Sequence, residues 1–154
     1  MHGSYLVVRR YPYEEPFHMQ LEFSVSNGLF SGTTDIYCNV GDLKEIGNRL
    51  KSFPTRLGDE FRYEYGSEDP ARRHYRYFLL RAYTIDNAGH CALQVKMNNN
   101  TREPHEGTCT LSIKAEAAAL NRLGSLFLTF SQLEHLEFHW NLEDQELFEY
   151  HESP

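Results

Sequence analysis

The chain has 154 residues, of which 40% are hydrophobic, 14% aromatic and 24% charged, with a formal net charge of −7. A chain of that length can bury roughly 70% of its unfolded surface, which excludes global disorder. No apolar run reaches the ~18 residues of a spanning helix, and the opening segment MHGSYLVVRR lacks the apolar core and cleavage site of a signal peptide, so a cytoplasmic protein without membrane contact is expected.

In chain order, the first clear element is MQLEFSVS. Leu21, Phe23 and Val25 point one way, and Gln20, Glu22, Ser24 and Ser26 the other. That period of two predicts a strand with one dry and one wet face. Asn27-Gly28 after it is a hairpin signal. DLKEIGNRLKSFP spaces Leu43, Ile46, Leu50 and Phe53 as a helix, with Asp42 and Glu45 as a capping box and Pro54 as the stop. YFLLRAYTI and HCALQVKM form a hairpin through Asp86-Asn87-Ala88-Gly89, and the polar loop 98–107 leads to TCTLSIKA. EAAALNRLGSLFLTF carries Leu120, Leu123, Phe127 and Phe130 as the stripe of a second helix.

The last element, LEHLEFHWNL, decides whether His135 and His139 form a metal pair. A helix requires an apolar residue at 137, which is Glu; a strand requires Leu136, Phe138, Trp140 and Leu142 on one face, which they satisfy. In a strand the two imidazoles stand about 13 Å apart at ~3.3 Å per residue. Zinc ligands sit ~2 Å from the ion, so no metal or other cofactor is expected. Together the elements predict a single α+β domain over 1–154: a two-layer sandwich, mainly an antiparallel sheet of about seven strands, with two helices on one face.

Charge is unevenly placed. Residues 1–130 hold all 15 Lys and Arg and 15 of the 22 acids, so they sum to zero. The acidic C-terminal segment 131–154 carries Glu134, Glu137, Glu143, Asp144, Glu146, Glu149 and Glu152 and no Lys or Arg. With His139, the first six of these form the expected partner-binding strip, with Trp140 and Phe148 as aromatic anchors.

Catalytic signals are absent. There is no nucleophile elbow and no phosphate loop. Cys91 and Cys109 fall on dry faces and Cys38 shares the phase of Ile36; three cysteines without paired spacing imply neither disulfides nor reactive thiols. His90 lies beside a hairpin turn with no acid set next to it by spacing. The run DPARRHYRYFLLR brings Arg72, Arg73, Arg76 and Arg81 together with His74, Tyr75 and Tyr77, a weak single-strand nucleic-acid signal. Strand alternation divides those arginines between faces, and the acidic segment repels phosphate, so no nucleic-acid partner is expected.

The pieces FSGTTDIYCNVGDLKEIGNRLKSFP, YGS, FLLRAYTIDNAGHCALQVKM and CTLSIKAEAAALNRLGSLF resemble the WapI-type immunity proteins of bacteria over roughly residues 20–130. The likeness rests on Asp42-Leu43, Leu50, Phe53-Pro54, Gly66-Ser67, Gly89-His90, Leu93 and Val95, which are packing and turn positions. The resemblance implies a non-enzymatic protein that neutralises a basic toxin domain by binding it. The acidic strip would then stand in for phosphates. The alternatives are a small-ligand-binding protein or hydrolase with a site on the open sheet face, and a homodimer that buries that face or its exposed strand edge.

Overall fold

A computed structural model describes residues 3–72 and 75–151. Strands β1 (Ser4–Glu14), β2 (His18–Asn27) and β3 (Ser31–Cys38) form an antiparallel meander. Helix α1 (Val40–Lys51) crosses to a second meander of β4 (Glu60–Tyr65), β5 (Tyr77–Thr84), β6 (Cys91–Asn98) and β7 (Thr108–Ala115). Helix α2 (Ala117–Phe130) returns the chain to the first sheet, where β8 (Glu137–Asn141) pairs with β1 and β9 (Gln145–Phe148) forms the edge. The fold is α+β with two helices and antiparallel strands. The nine described strands divide into a five-stranded sheet, ordered β3-β2-β1-β8-β9, and a four-stranded sheet, ordered β4-β5-β6-β7.

The period-two residues do what their spacing requires. Leu21, Phe23 and Val25 of β2 and Leu93, Val95 and Met97 of β6 are buried, and Phe23 meets Phe78 across the sheets with ring centroids 4.4 Å apart. The C-terminal half of α2 covers β8: Phe127 and Phe130 pack edge-on against Phe138 at 5.2 and 5.1 Å. Trp140 is fully buried and donates its indole N–H to the Ala119 carbonyl at 3.0 Å. It is a core residue and not an interface anchor; truncating such an aromatic costs about 3–5 kcal/mol.

The helices pack on each other through glycines. A Cβ on Gly124 would lie 2.2 Å from the Lys51 amide nitrogen, so only glycine lets the backbones approach this closely. Asn121 donates to the Leu50 and Phe53 carbonyls at 2.9 and 2.7 Å, satisfying the C-terminal end of α1. The N-terminal capping box of α1 is Asn39 with Asp42, one turn earlier than the Asp42–Glu45 pair read from sequence. Asn39 and Asp42 present the same donor and acceptor groups as the later pair, and the helix begins as soon as they permit. Leu142, expected on the dry face, is exposed in the β8–β9 turn, where the Asn141 side chain accepts from the Glu143 and Asp144 amides.

Candidate functional site

The acidic segment is not a free strip. Antiparallel pairing sets Glu137 of β8 directly opposite Arg9 of β1, and Glu22 of β2 lies opposite Arg9 on its other side. Arg9 binds Glu137 at 2.9 Å and Glu22 at 3.0 Å, and His139 contacts the second oxygen of Glu137. Glu137 is 0% exposed. Burial alone would draw the Arg9 guanidinium down, but Glu137 and Glu22 hold it above its ordinary value. The other acids do not gather on one face. Glu146 sits on β9 opposite His139, Glu143 and Asp144 lie in the turn, Glu134 precedes β8, and Glu149 follows β9. Arg122 holds that turn through the Asn141 and Asp144 carbonyls at 3.0 and 2.7 Å. Glu152 lies outside the described residues, as do Arg73 and His74 of the basic run.

The strand reading of the histidines holds for His139, which faces outward on β8 and packs at a tilt against Phe148, with ring centroids 4.7 Å apart. His135 precedes the strand, with its Nδ1 buried and without a partner. Among the described residues no cluster of three His, Cys, Asp or Glu is arranged to hold a metal. Burial pushes the Cys38 thiol up to about 12, in keeping with an unreactive core thiol. His90 does have an acid beside it: Asp86 lies 2.8 Å from Nδ1. The same carboxylate accepts from the Ala88 and His90 amides, so it ties the β5–β6 turn. The pair is four residues apart and was legible as a turn but not as a contact.

A different constellation appears on the outer face of the five-stranded sheet. Strand register places Tyr37, Gln20 and Tyr11 in one cross-strand row on β3, β2 and β1. Tyr13 and His18 continue it at the β1–β2 end. Ring centroids run from His18 to Tyr13 at 6.2 Å, Tyr13 to Tyr37 at 6.4 Å, and Tyr37 to Tyr75 at 5.7 Å; the Arg76 guanidinium lies 4.2 Å over Tyr75. These rings remain in solvent: Tyr13 is 61% exposed, Tyr75 45% and Tyr37 40%. Asp35 organises the end of the row. It accepts from Gln20 at 3.0 Å and from the Tyr75 hydroxyl at 3.0 Å, and it pairs with Arg76 at 3.7 Å. Burial, then the bond to Asp35, raises the Tyr75 phenol, which stays neutral. Arg72, exposed nearby in sequence, pairs only loosely with Asp69 at 3.4 Å. The basic run thus contributes Tyr75 and Arg76 to this ladder. Arg81 lies on the other sheet.

The outer face of the four-stranded sheet is the second charged surface. Arg62, Arg81, Lys96 and Lys114 face Glu60, Glu64 and Glu68 there: Arg81 pairs with Glu60, Lys96 with Glu68 at 3.0 Å and Arg62 with Glu64 at 4.0 Å, while Arg62 stands directly opposite Arg81 in the β4–β5 register. Its aromatics are engaged: Tyr77 is buried and donates to Glu64, and Arg81 covers Tyr83 at 4.1 Å.

No family model and no curated protein matches this chain. Solved structures similar to it include the plant transcriptional regulator PBF-2, at 14% identity and TM-score 0.45 over 84% of this chain and 76% of that one. WHY3 from Arabidopsis thaliana matches at 15% identity and TM-score 0.44 over 85% of this chain and 83% of that one. WHY1 from the same plant matches at 16% and 0.45 over 85% of each. One of these neighbours is a transcriptional regulator. The expectation of a toxin-neutralising immunity protein with an acidic docking strip and no nucleic-acid partner is therefore corrected. The geometry agrees with the correction, because Glu137 and His139 of that strip are spent on each other and on Arg9.

Proposed function

We propose that this chain is a non-enzymatic binding protein for single-stranded nucleic acid, and that bases stack on the His18–Tyr13–Tyr37–Tyr75 ladder. The observation that carries the reading is the ladder itself: solvent-exposed rings in mutual contact, ending under an arginine. Every base has a flat π-face, and stacking on an exposed aromatic contributes about 1–3 kcal/mol per base. Duplex bases are already stacked at a rise of ~3.4 Å. The rings lie tilted or edge-on to one another, at 37°, 75° and 49°, so each receives a separate, unstacked base of a single strand and the row does not extend a duplex stack. Arg76 and Arg72 supply the phosphate contacts. The similar fold of a transcriptional regulator is compatible with this reading and does not carry it.

Fluorescence anisotropy with labelled DNA and RNA single strands of about eight nucleotides, and with the corresponding duplexes, tests it. Single strands are expected to bind, duplexes much less well. Tyr37→Ala is expected to weaken binding roughly tenfold while leaving the melting temperature nearly unchanged, because the ring is exposed. Equal binding of duplex and single strand, or full affinity in Tyr37→Ala, would overturn the reading.

A further inference from the structure

Between the rings of the ladder lies a cavity of about 300 Å³ lined by Tyr11, Pro12, Tyr13, Gln20 and Tyr37. Gln20 stands in the floor with Tyr11 and Tyr37 as its cross-strand neighbours, so the two tyrosines rise from strands two sheet spacings, about 10 Å, apart. Tyr11 is backed by His151 at 4.6 Å and Tyr37 meets Tyr13 edge-on, so the walls are held in place, and one flat base stacked at ~3.4 Å from one of the two rings can lie over Gln20.

The floor is polar and oriented. A carboxylate can only accept, so Asp35 fixes which end of the Gln20 amide faces it: Nε2 donates to Asp35 at 3.0 Å and Oε1 points away. Asp35 is itself held by Tyr75 and Arg76, so the orientation does not depend on a loose side chain. Among the described residues no donor reaches Oε1. A base stacked on these tyrosines over Gln20 therefore meets an amide oxygen beside the second amide N–H. Adenine offers the matching amine and ring nitrogen side by side, and a side-chain amide is the group that reads it. A purine also covers more of a tyrosine face than a pyrimidine does.

Resting on the single-strand reading above, we infer that the Tyr11–Gln20–Tyr37 cavity is a nucleobase pocket that selects adenine. The ladder outside it binds bases without distinction; the pocket adds an oriented hydrogen-bonding floor.

The test uses thymidine strands of about eight nucleotides carrying one central adenine, one central cytosine or no replacement. A single replacement avoids the self-stacking of an adenine run. The wild-type chain is expected to bind the adenine strand roughly tenfold more tightly than the all-thymidine strand, with the cytosine strand between them. Gln20→Ala is expected to bring the adenine strand to the level of the thymidine strand. His18→Ala, on the ladder but outside the pocket lining, is expected to weaken all three alike. Melting curves of both variants check that the sheet is intact. If wild-type chain binds the three strands equally, or if Gln20→Ala keeps the preference, the pocket is refuted while the single-strand reading stands. If no strand binds at all, both are refuted together.

Discussion

Glu137→Ala tests whether the acidic C-terminal segment is architecture or docking surface. Removing one partner of a buried ion pair costs about 3–5 kcal/mol, because the other charge is left buried. Here the penalty is smaller. Arg9 has a side chain 19% exposed to water and keeps Glu22 at 3.0 Å, so it is not abandoned. His139 loses its contact but stays partly exposed. The expected cost is about 2 kcal/mol, which for a chain of this size lowers the melting temperature by about 4–8 °C. Glu137→Gln keeps the shape and an acceptor for Arg9, and is expected to lose about half as much. Glu149→Ala, at an exposed position, is the control and belongs within about 0.5 kcal/mol of the parent. Urea unfolding monitored through the buried Trp140 measures all three. If Glu137→Ala and Glu149→Ala unfold together, Glu137 contributes nothing to the sheet and the assignment of this acid to the architecture is wrong.

Gly124→Ala is expected to destabilise by about 2 kcal/mol despite the better helix propensity of alanine, since its Cβ meets the Lys51 and Gly47 backbones. Gly47→Ala is expected to cost less, because the Leu128 side chain it meets can shift; a reversed order in thermal melts would refute the close-packing argument. Arg62 stands opposite Arg81, but Arg81 pairs with Glu60 and Arg62 with Glu64 at 4.0 Å, so Arg62→Thr is expected to change stability by no more than about 0.5 kcal/mol; a larger gain that fades with salt would show uncompensated repulsion. A gain independent of salt would point to strand propensity instead. Burial pushes the Asp59 carboxyl up, but the Thr55 amide and hydroxyl, the Glu60 amide and Arg49 hold it below its ordinary value of 3.8. The unfolded chain therefore takes up that proton first, so the contribution is complete above the unfolded value and is lost as pH falls through the folded one. Asp59→Asn is expected to flatten the acid limb of stability against pH; an unchanged limb would show that Asp59 does not set it.

The contrast between strands and site explains what the sequence discloses. Strands β2, β6, β7 and β8 each bury one face, so Leu21-Phe23-Val25 and Phe138-Trp140 announce themselves by period alone. Strand β1 does not, because Val7 on its outer face is also buried and Arg10 on its inner face is spent on Glu15 and the His135 carbonyl. The division into two sheets depends on β8 pairing with β1 across more than a hundred residues, which no local pattern encodes. That same register pairs Arg9 with Glu137 and so turns an expected surface acid into a buried one. The tyrosine ladder was hidden for the same reason. Tyr13, Tyr37 and Tyr75 come from separate segments and meet only once β1, β2 and β3 are in register. The available signal was Tyr11 and Tyr37 in the outward phase of their strands, where aromatic side chains are not needed for a core.

A chain of net charge −7 that binds a polyanion requires stacking to exceed repulsion, and the salt dependence separates the two candidate surfaces. On the ladder, Arg72 and Arg76 are the described bases available, and each phosphate contact on a single strand contributes a slope of about −0.7 in log affinity against log salt. The expected slope is therefore about −1.4 or shallower, since the acids elsewhere on the chain repel the strand less as salt rises. The outer face of the four-stranded sheet would engage Arg62, Arg81, Lys96 and Lys114, giving a slope near −2.8. It would also give little dependence on Tyr37. A shallow slope lost with the tyrosines places the strand on the ladder. A steep slope lost with Arg62 and Arg81 would move it to the other sheet, and the base pocket at Gln20 would fall with that result.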